Sequence, residues 1–448
     1  MEKNLTTGSV FGNIVRFSLP YLFSYFLQTL YGMADLFIIG QYADASGTTA
    51  VSVGSQVMHM LTLMIVGLAM GATVTIGQAV GARDQKSAAC YTGNTMTLFL
   101  VLSVAVTGLL LALARPIAAV MSTPTEAVSG TVAYLRICFL GVPLITAYNI
   151  IASIFRGLGD SKSPLLFVLV ACVVNIVGDL ALVAGLHLDA AGAAIATVAA
   201  QAVSVVCAIF MLLKKDLPFK LKKADFRLNP QCRKFLGIGL PLALQEFLTQ
   251  FSFLALCAFV NRLGLEASSG YGVACKIVNF AMLVPSALMQ SMASFVSQNI
   301  GAGNPKRAKQ SMFTGIGVGL GFGCVVFALV MLKGDVLAGF FSTDAAVIQC
   351  GFDYLKGFAP ETIVTAVLFS MVGYFNGNQK TVWVMVQGLV QTLLVRLPLA
   401  YVMSIQPNAS LTKIGLAAPA STAVGILLNV GFYIYLNRKQ AREMQRLA

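Results

Sequence analysis

The sequence is short of charge. Only 10% of its 448 residues are Asp, Glu, Lys or Arg, against roughly 25% in an ordinary soluble domain. With 57% of the residues hydrophobic, so little polar surface excludes a water-soluble globule. Histidine is nearly absent: His59 and His187 have no partner at ligand spacing, so no zinc-type site is indicated. The nine cysteines include no C-x-x-C pair and stand singly in apolar stretches, as small core residues do. H-E-x-x-H and G-x-S-x-G are missing, and no Ser/His pair replaces them, which argues against an intramembrane enzyme. Nothing calls for a cofactor.

What fills the chain is long apolar runs. Those able to cross the roughly 30 Å hydrocarbon core as helices lie near 14–40, 51–78, 92–114, 131–155, 164–186, 191–213, 235–261, 270–298, 312–333, 349–375, 382–404 and 414–436. The expected fold is an all-α integral membrane protein of twelve transmembrane helices. Residues 1–13 are short and polar, so no cleavable signal is predicted, and the first span serves as its own targeting signal. Basic residues favour the cytoplasmic side. With both termini inside, 22 of the 30 Lys and Arg fall there, including eight between Lys214 and Lys234, and four fall outside. The net charge of +13 is thus mostly topological and needs no nucleic acid. The predicted location is the cell (inner) membrane, with the lipid bilayer as partner and the monomer as the working unit.

The chain is also written twice. An offset of 220 residues carries Gln78, Gly81, Ala82, Lys86 and Ala88 onto Gln298, Gly301, Ala302, Lys306 and Ala308. The same offset carries Tyr134-Leu135 onto Tyr354-Leu355, and Phe155 and Gly157 onto Phe375 and Gly377. The predicted organisation is an N-terminal six-helix bundle (1–213), a basic cytoplasmic linker (214–234) and a C-terminal six-helix bundle (235–448). Six spans per half is an even number, so the repeats are parallel, a design that places a cavity between two rocking bundles.

Two six-helix halves, "LP" opening spans 1 and 7, the Q-x-x-G-A turns after spans 2 and 8, and "FRGLGDSKSP" after span 4 together resemble the multidrug and toxic compound extrusion (MATE) family over nearly the whole chain. The resemblance implies a secondary antiporter that exports organic cationic or amphipathic compounds, in exchange for inward Na+ or H+ as the coupling ion. One rival is a lipid-linked saccharide or lipid flippase of the same superfamily, whose anionic cargo would favour a cavity of Arg and Lys. A major-facilitator sugar transporter is also twelve-helical, but its D-R-x-G-R-R loop is absent between spans 2 and 3.

Of 17 acidic residues, four lie at membrane depth: Asp35, Asp179, Glu246 and Glu361. Buried ionisable groups in membranes tend to mark ion or substrate paths. Spans 1 and 5 both run outward, which puts Asp35 and Asp179 at a similar depth, Asp35 roughly 8 Å below the outer boundary at 1.5 Å per residue. Span 6 runs inward and brings Thr197 to the same level, and Asn175 lies one turn below Asp179. Carboxylate, amide and hydroxyl oxygens suit a hard cation such as sodium, and carboxylates close together can equally carry a proton. The resemblance points to the same positions: an Asp in span 1, an Asn-x-x-x-Asp pair in span 5 and a Thr in span 6 are matched by Asp35, Asn175, Asp179 and Thr197. Gln28 and Tyr31 match polar lining positions on span 1. In the C-terminal half another branch of the family uses an Asp in span 10 that this chain lacks. Gln250 holds the place of that branch's span 7 Glu, with Glu246 one turn earlier. Glu246 and Glu361, each near mid-membrane, fit two roles, substrate-cavity acid or satisfied structural acid. Pro20 and Pro241 fit either hinges or ordinary helix starts.

Overall fold

The computed structural model describes residues 5–447, and among them the chain is helical with no strand. The N-terminal repeat contains α1 (Val10–Tyr42), α2 (Ala45–Gly81), α3 (Gln85–Val120), α4 (Val128–Leu140), α5 (Val142–Gly157), α6 (Lys162–Asp179) and α7 (Asp189–Lys214). The C-terminal repeat contains α8 (Cys232–Asn261), α9 (Leu265–Ala281), α10 (Leu283–Gly301), α11 (Pro305–Gly339), α12 (Ala345–Phe358), α13 (Glu361–Gly377), α14 (Thr381–Leu389), α15 (Leu397–Ile405), α16 (Leu411–Gly415) and α17 (Ala417–Leu447). Ten helical segments among the described residues are long and apolar enough to span a membrane, and two bent pairs complete twelve.

Several scarce acids outside the spans begin these helices. Asp44 Oδ1 accepts from the Gly47 amide at 2.7 Å, Asp84 Oδ1 from Ser87 at 3.0 Å and Asp344 Oδ1 from Ala346 at 2.8 Å, each satisfying an amide that the first helical turn leaves unbonded. The two bends fall at equivalent places. Between α4 and α5 the axis turns by 47°, and between α12 and α13 by 48°. Gly141 stands at the first bend, and Glu361, 220 residues on, at the second. Pro143 and Pro360 flank them, each lacking the N–H a continuous helix would use. Pro20 and Pro241, by contrast, lie inside α1 and α8, which run through them as helix.

Two compact units are present: residues 1–246 with 293–307, and residues 247–292 with 308–448. The first unit therefore holds all of the N-terminal repeat together with the opening of α8 and the end of α10. Glycines explain why the chain associates this way. A Cβ on Gly67 would lie 2.9 Å from the Ala243 amide nitrogen, and one on Gly71 would strike the Phe235 carbonyl, so α2 and α8 meet backbone to backbone. The two Q-x-x-G-A turns meet reciprocally: a Cβ on Gly81 would collide with the carbonyl of Gln298, and one on Gly301 with the carbonyl of Gln78. Gln298 Nε2 also donates to the Gly157 carbonyl at 2.8 Å. The basic linker is tied to α3, where Asn94 Nδ2 donates to Asp225 O at 2.9 Å and Asn94 Oδ1 accepts from Asn229 N at 3.0 Å. Phe155, Phe167, Phe235 and Ile154 centre one apolar core of this unit, and Ile39, Leu135 and Phe139 another. In the second unit the corresponding core gathers Val260, Tyr354, Leu355 and Ile414.

Candidate functional site

Asp35, Asn175 and Asp179 are each more than nine-tenths buried in the first unit, and Thr197 is half-buried on α7. Local packing brings them together. Gly178 lets α6 press against α7, since a Cβ there would lie 2.9 Å from Ala196 Cβ. Asn175 and Thr197 then face each other, Asn175 Nδ2 donating to Thr197 Oγ1 at 3.4 Å. Thr197 Oγ1 in turn donates to the Ala193 carbonyl at 3.0 Å, leaving one lone pair for an incoming donor or cation. The Asp35 and Asp179 carboxyl groups are within hydrogen-bonding reach of one another, and Asn175 adjoins Asp35. Immediately after Asp179 the helix widens into a π turn, Leu180–Gly185, in which the Leu186 amide reaches back five residues to Ala181 O at 3.0 Å. Such turns frequently accompany functional sites.

The electrostatics leave a gap to be filled. Asp35 Oδ1, both carboxylate oxygens of Asp179 and Asn175 Oδ1 are buried without a hydrogen-bond donor. Buried polar atoms are normally satisfied, and two carboxylates at this separation repel unless a proton or cation lies between them. Three side chains thus present four acceptor oxygens with a hydroxyl beside them, a hard-oxygen set of the kind alkali and alkaline-earth cations take.

Around this set, Tyr31 lies beside Asp35 and Tyr148, and Gln28 beside Tyr148. In the sequence Tyr134 serves only as a repeat marker, whereas in the structure it is buried within electrostatic range of both acids and near Cys138. Its place three residues inside the outer end of the fourth predicted span was the available signal. Room for its ring comes from Gly54, where a Cβ would lie 2.7 Å from Tyr134 Cε1.

The remaining predicted acids are placed differently. Glu246 is half-buried beside Tyr25 and makes no hydrogen bond or ion pair among the described residues. Gln250 is half-buried on the part of α8 that belongs to the second unit. Glu361 opens α13 and is 5% exposed. It accepts from Thr422 Oγ1 at 2.8 Å and faces Arg396 Nη2 at 3.9 Å. Gln391 Nε2 donates to the same Thr422 hydroxyl at 3.0 Å, and Gln387 Nε2 to Gln391 at 2.6 Å. Arg396 closes a second π turn, Val390–Arg396, where Nε donates to Ser421 Oγ at 3.2 Å and the guanidinium lies 5.6 Å from the Phe253 ring centroid. Glu361 is therefore the acid of a buried polar chain. The first unit holds a further buried cation: Arg156, 8% exposed, lies 5.1 Å from the Tyr21 ring centroid, makes no ion pair among the described residues, and its Nε has no acceptor among them.

The MatE family model matches residues 20–180 and 241–402, one copy in each repeat. A probable multidrug resistance protein, YoeA of Bacillus subtilis, is 26% identical over 446 residues, covering 96% of this chain and 95% of that protein. A protein named as an FAD transporter in Shewanella oneidensis is 23% identical over 86% of each chain. Among solved structures, the outward-facing conformation of a multidrug resistance MATE family transporter of the MOP superfamily superposes with a TM-score of 0.91, at 22% identity and over 99% of both chains.

Proposed function

The chain belongs to the MatE family, and we propose that it is a secondary antiporter of the cell membrane, exporting small organic compounds in exchange for inward Na+ or H+, with both termini cytoplasmic. The observation that carries the coupling half of this reading is the buried group Asp35, Asn175 and Asp179, whose four oxygens lack donors. A cation or proton entering from outside neutralises the Asp35–Asp179 repulsion and is paid for in part by that relief. The filled site draws α1 and α6 together with Thr197 of α7, and emptying it lets the first unit adopt its other arrangement. Differential binding of the ion to two states is what lets its gradient drive a second solute. In this reading Glu246, beside Tyr25, faces cargo with Gln28 and Tyr31, whereas Glu361 belongs to the framework of the second unit.

The name of the Bacillus relative, a probable multidrug resistance protein, supports this reading, and the Shewanella relative is named as a transporter of FAD. Proteoliposomes with the sodium and pH gradients imposed separately test the coupling. Efflux of a cationic dye is expected to follow one gradient, and Asp35→Asn and Asp179→Asn are each expected to abolish the gradient-driven component while leaving the protein folded and inserted. Undiminished gradient-driven efflux by either variant would refute the site.

A further inference from the structure

The second unit contains a cavity of ≈170 Å³ lined by Tyr374, Asn378, Lys380, Tyr433, Leu436, Asn437 and Lys439. It is far larger than the roughly 10–15 Å³ that one water requires. None of the seven lining residues is acidic. The internal duplication makes that absence informative. The turns after α5 and α13 have the same backbone: Asp160 N donates to Phe155 O and Lys380 N to Phe375 O, both at 2.9 Å, and Gly159 and Gln379 sit at φ of 83° and 60°. Asp160 and Lys380 are therefore equivalent. In the first unit Asp160 binds the ammonium of Lys215, a residue just beyond α7, and accepts from Ser163 Oγ at 2.6 Å. In the second unit a lysine replaces that acid, so Lys380 and Lys439 border one cavity whose described lining contains no acid.

We propose that this cavity binds the phosphate head group of an anionic membrane lipid. The two ammonium groups supply charge, and the Tyr374 and Tyr433 rings, 6.0 Å apart, form a wall. Lys309 Nζ donates to Asn437 Oδ1 at 2.6 Å, which leaves the Asn437 amide nitrogen to donate to a phosphate oxygen. The lipid rather than a free anion is indicated by the surroundings. Phe313, Val382, Ile434 and Tyr435 are exposed apolar side chains on the helices that frame the cavity. The only tryptophan of the chain, Trp383, stacks on Phe432 at 4.2 Å beside them, as residues of a membrane–water interface do. Acyl chains can lie along that face while the head group enters between the lysines.

The experiment uses the full-length protein in detergent, titrated with phosphatidylglycerol, phosphatidylcholine or inorganic phosphate and read by thermal unfolding and native mass spectrometry. Phosphatidylglycerol alone is expected to stabilise and to be retained in the gas phase. Lys380→Gln or Lys439→Gln should each weaken its apparent affinity about fivefold, the equivalent of the ≈1 kcal/mol per basic residue near an anionic lipid. Lys380→Asp, which restores the acid of the first unit, should weaken it about thirtyfold by two such steps. Lys86→Gln, an exposed charge in the first turn of α3, should change nothing. A wild-type response in the Lys380 and Lys439 variants, an equal loss in Lys86→Gln, or equal stabilisation by inorganic phosphate would each overturn the proposal.

Discussion

Replacing Glu361 by Gln removes one charge from a pair in which both members are more than nine-tenths buried. The amide oxygen of Gln can still accept from Thr422, so the hydrogen bond at 2.8 Å survives and the change is almost purely electrostatic. What it strands is the Arg396 guanidinium. Leaving one member of a buried pair uncompensated costs about 3–5 kcal/mol. Arg396 retains Ser421 and the Phe253 ring, so we expect the low end, about 3 kcal/mol. Substituting both residues, Glu361→Gln with Arg396→Met, removes the stranded charge and should recover at least half of that loss, a coupling within the range for residues in one network. Unfolding in mixed detergent micelles, followed by the fluorescence of Trp383 in the same unit, measures all three variants. Glu361→Gln as stable as the parent, or a double variant less stable than both singles, would refute the ion-pair account. The same proteins also decide the role in transport: equal losses for cationic and neutral dyes are expected of a framework acid, and a loss confined to cations would place Glu361 in the cargo path.

Gly178→Ala should force α6 away from α7, because its Cβ would lie 2.9 Å from that of Ala196; about 1–3 kcal/mol of stability and the ion dependence of transport are both expected to fall, whereas Gly237→Ala, with nothing within 4 Å, should leave both unchanged. Burial pushes the Asp160 carboxyl up, but hydrogen bonds from Lys215 and Ser163 outweigh it and hold the group below its ordinary value. Its contribution is therefore full above the unfolded carboxylate range and lost as pH falls through the lower folded value. Asp160→Asn should reduce stability near pH 7 by up to about 1 kcal/mol and flatten the acid limb of a pH–stability curve, and an unaltered acid limb would dispose of the claim. Under one-for-one exchange, a neutral cargo gains the voltage term of about 2.3 kcal/mol per 100 mV and a monocation does not. Collapsing the potential alone should therefore lower the steady-state gradient of neutral dyes strongly and of monocations hardly at all, and loss of the monocation gradient would imply two or more coupling ions per cycle.

The twelve spans could be read directly because apolar length is set by the bilayer and does not depend on packing. Asp35, Asn175, Asp179 and Thr197 were legible for a related reason: a costly polar residue in an apolar run is conspicuous, and counting residues from the span ends gives its depth. The bends at Gly141 and Glu361 were not, since hydropathy stays high through a break and Pro143 and Pro360 resemble any other helix-flanking proline. The π turns after Asp179 and before Leu397 depend on one extra residue per turn, which no local composition records. Tyr134 stayed hidden because its reach to the acids requires the space at Gly54, a tertiary fact. Arg396 was visible as a charge within an apolar run, but its partnership with Glu361 joins residues 35 apart on successive spans. Nor does hydropathy foretell that the opening of α8 and the end of α10 pack with the first compact unit; matched glycines decide that.

Those glycines also bear on ancestry. The contacts at the Q-x-x-G-A turns have the form Gly81 against Gln298 and Gly301 against Gln78, and the offset of 220 residues makes Gly81 equivalent to Gly301 and Gln78 to Gln298. Residue i touching j while j touches i is the signature of an isologous interface, which two identical subunits form across a two-fold axis. Before fusion, a six-helix protein half this length could have used this patch to pair with itself, each copy lending a single glycine. Once the genes were joined, the linker fixed the partner, and the two halves were free to diverge: an acid and a lysine at one turn, two lysines at the other.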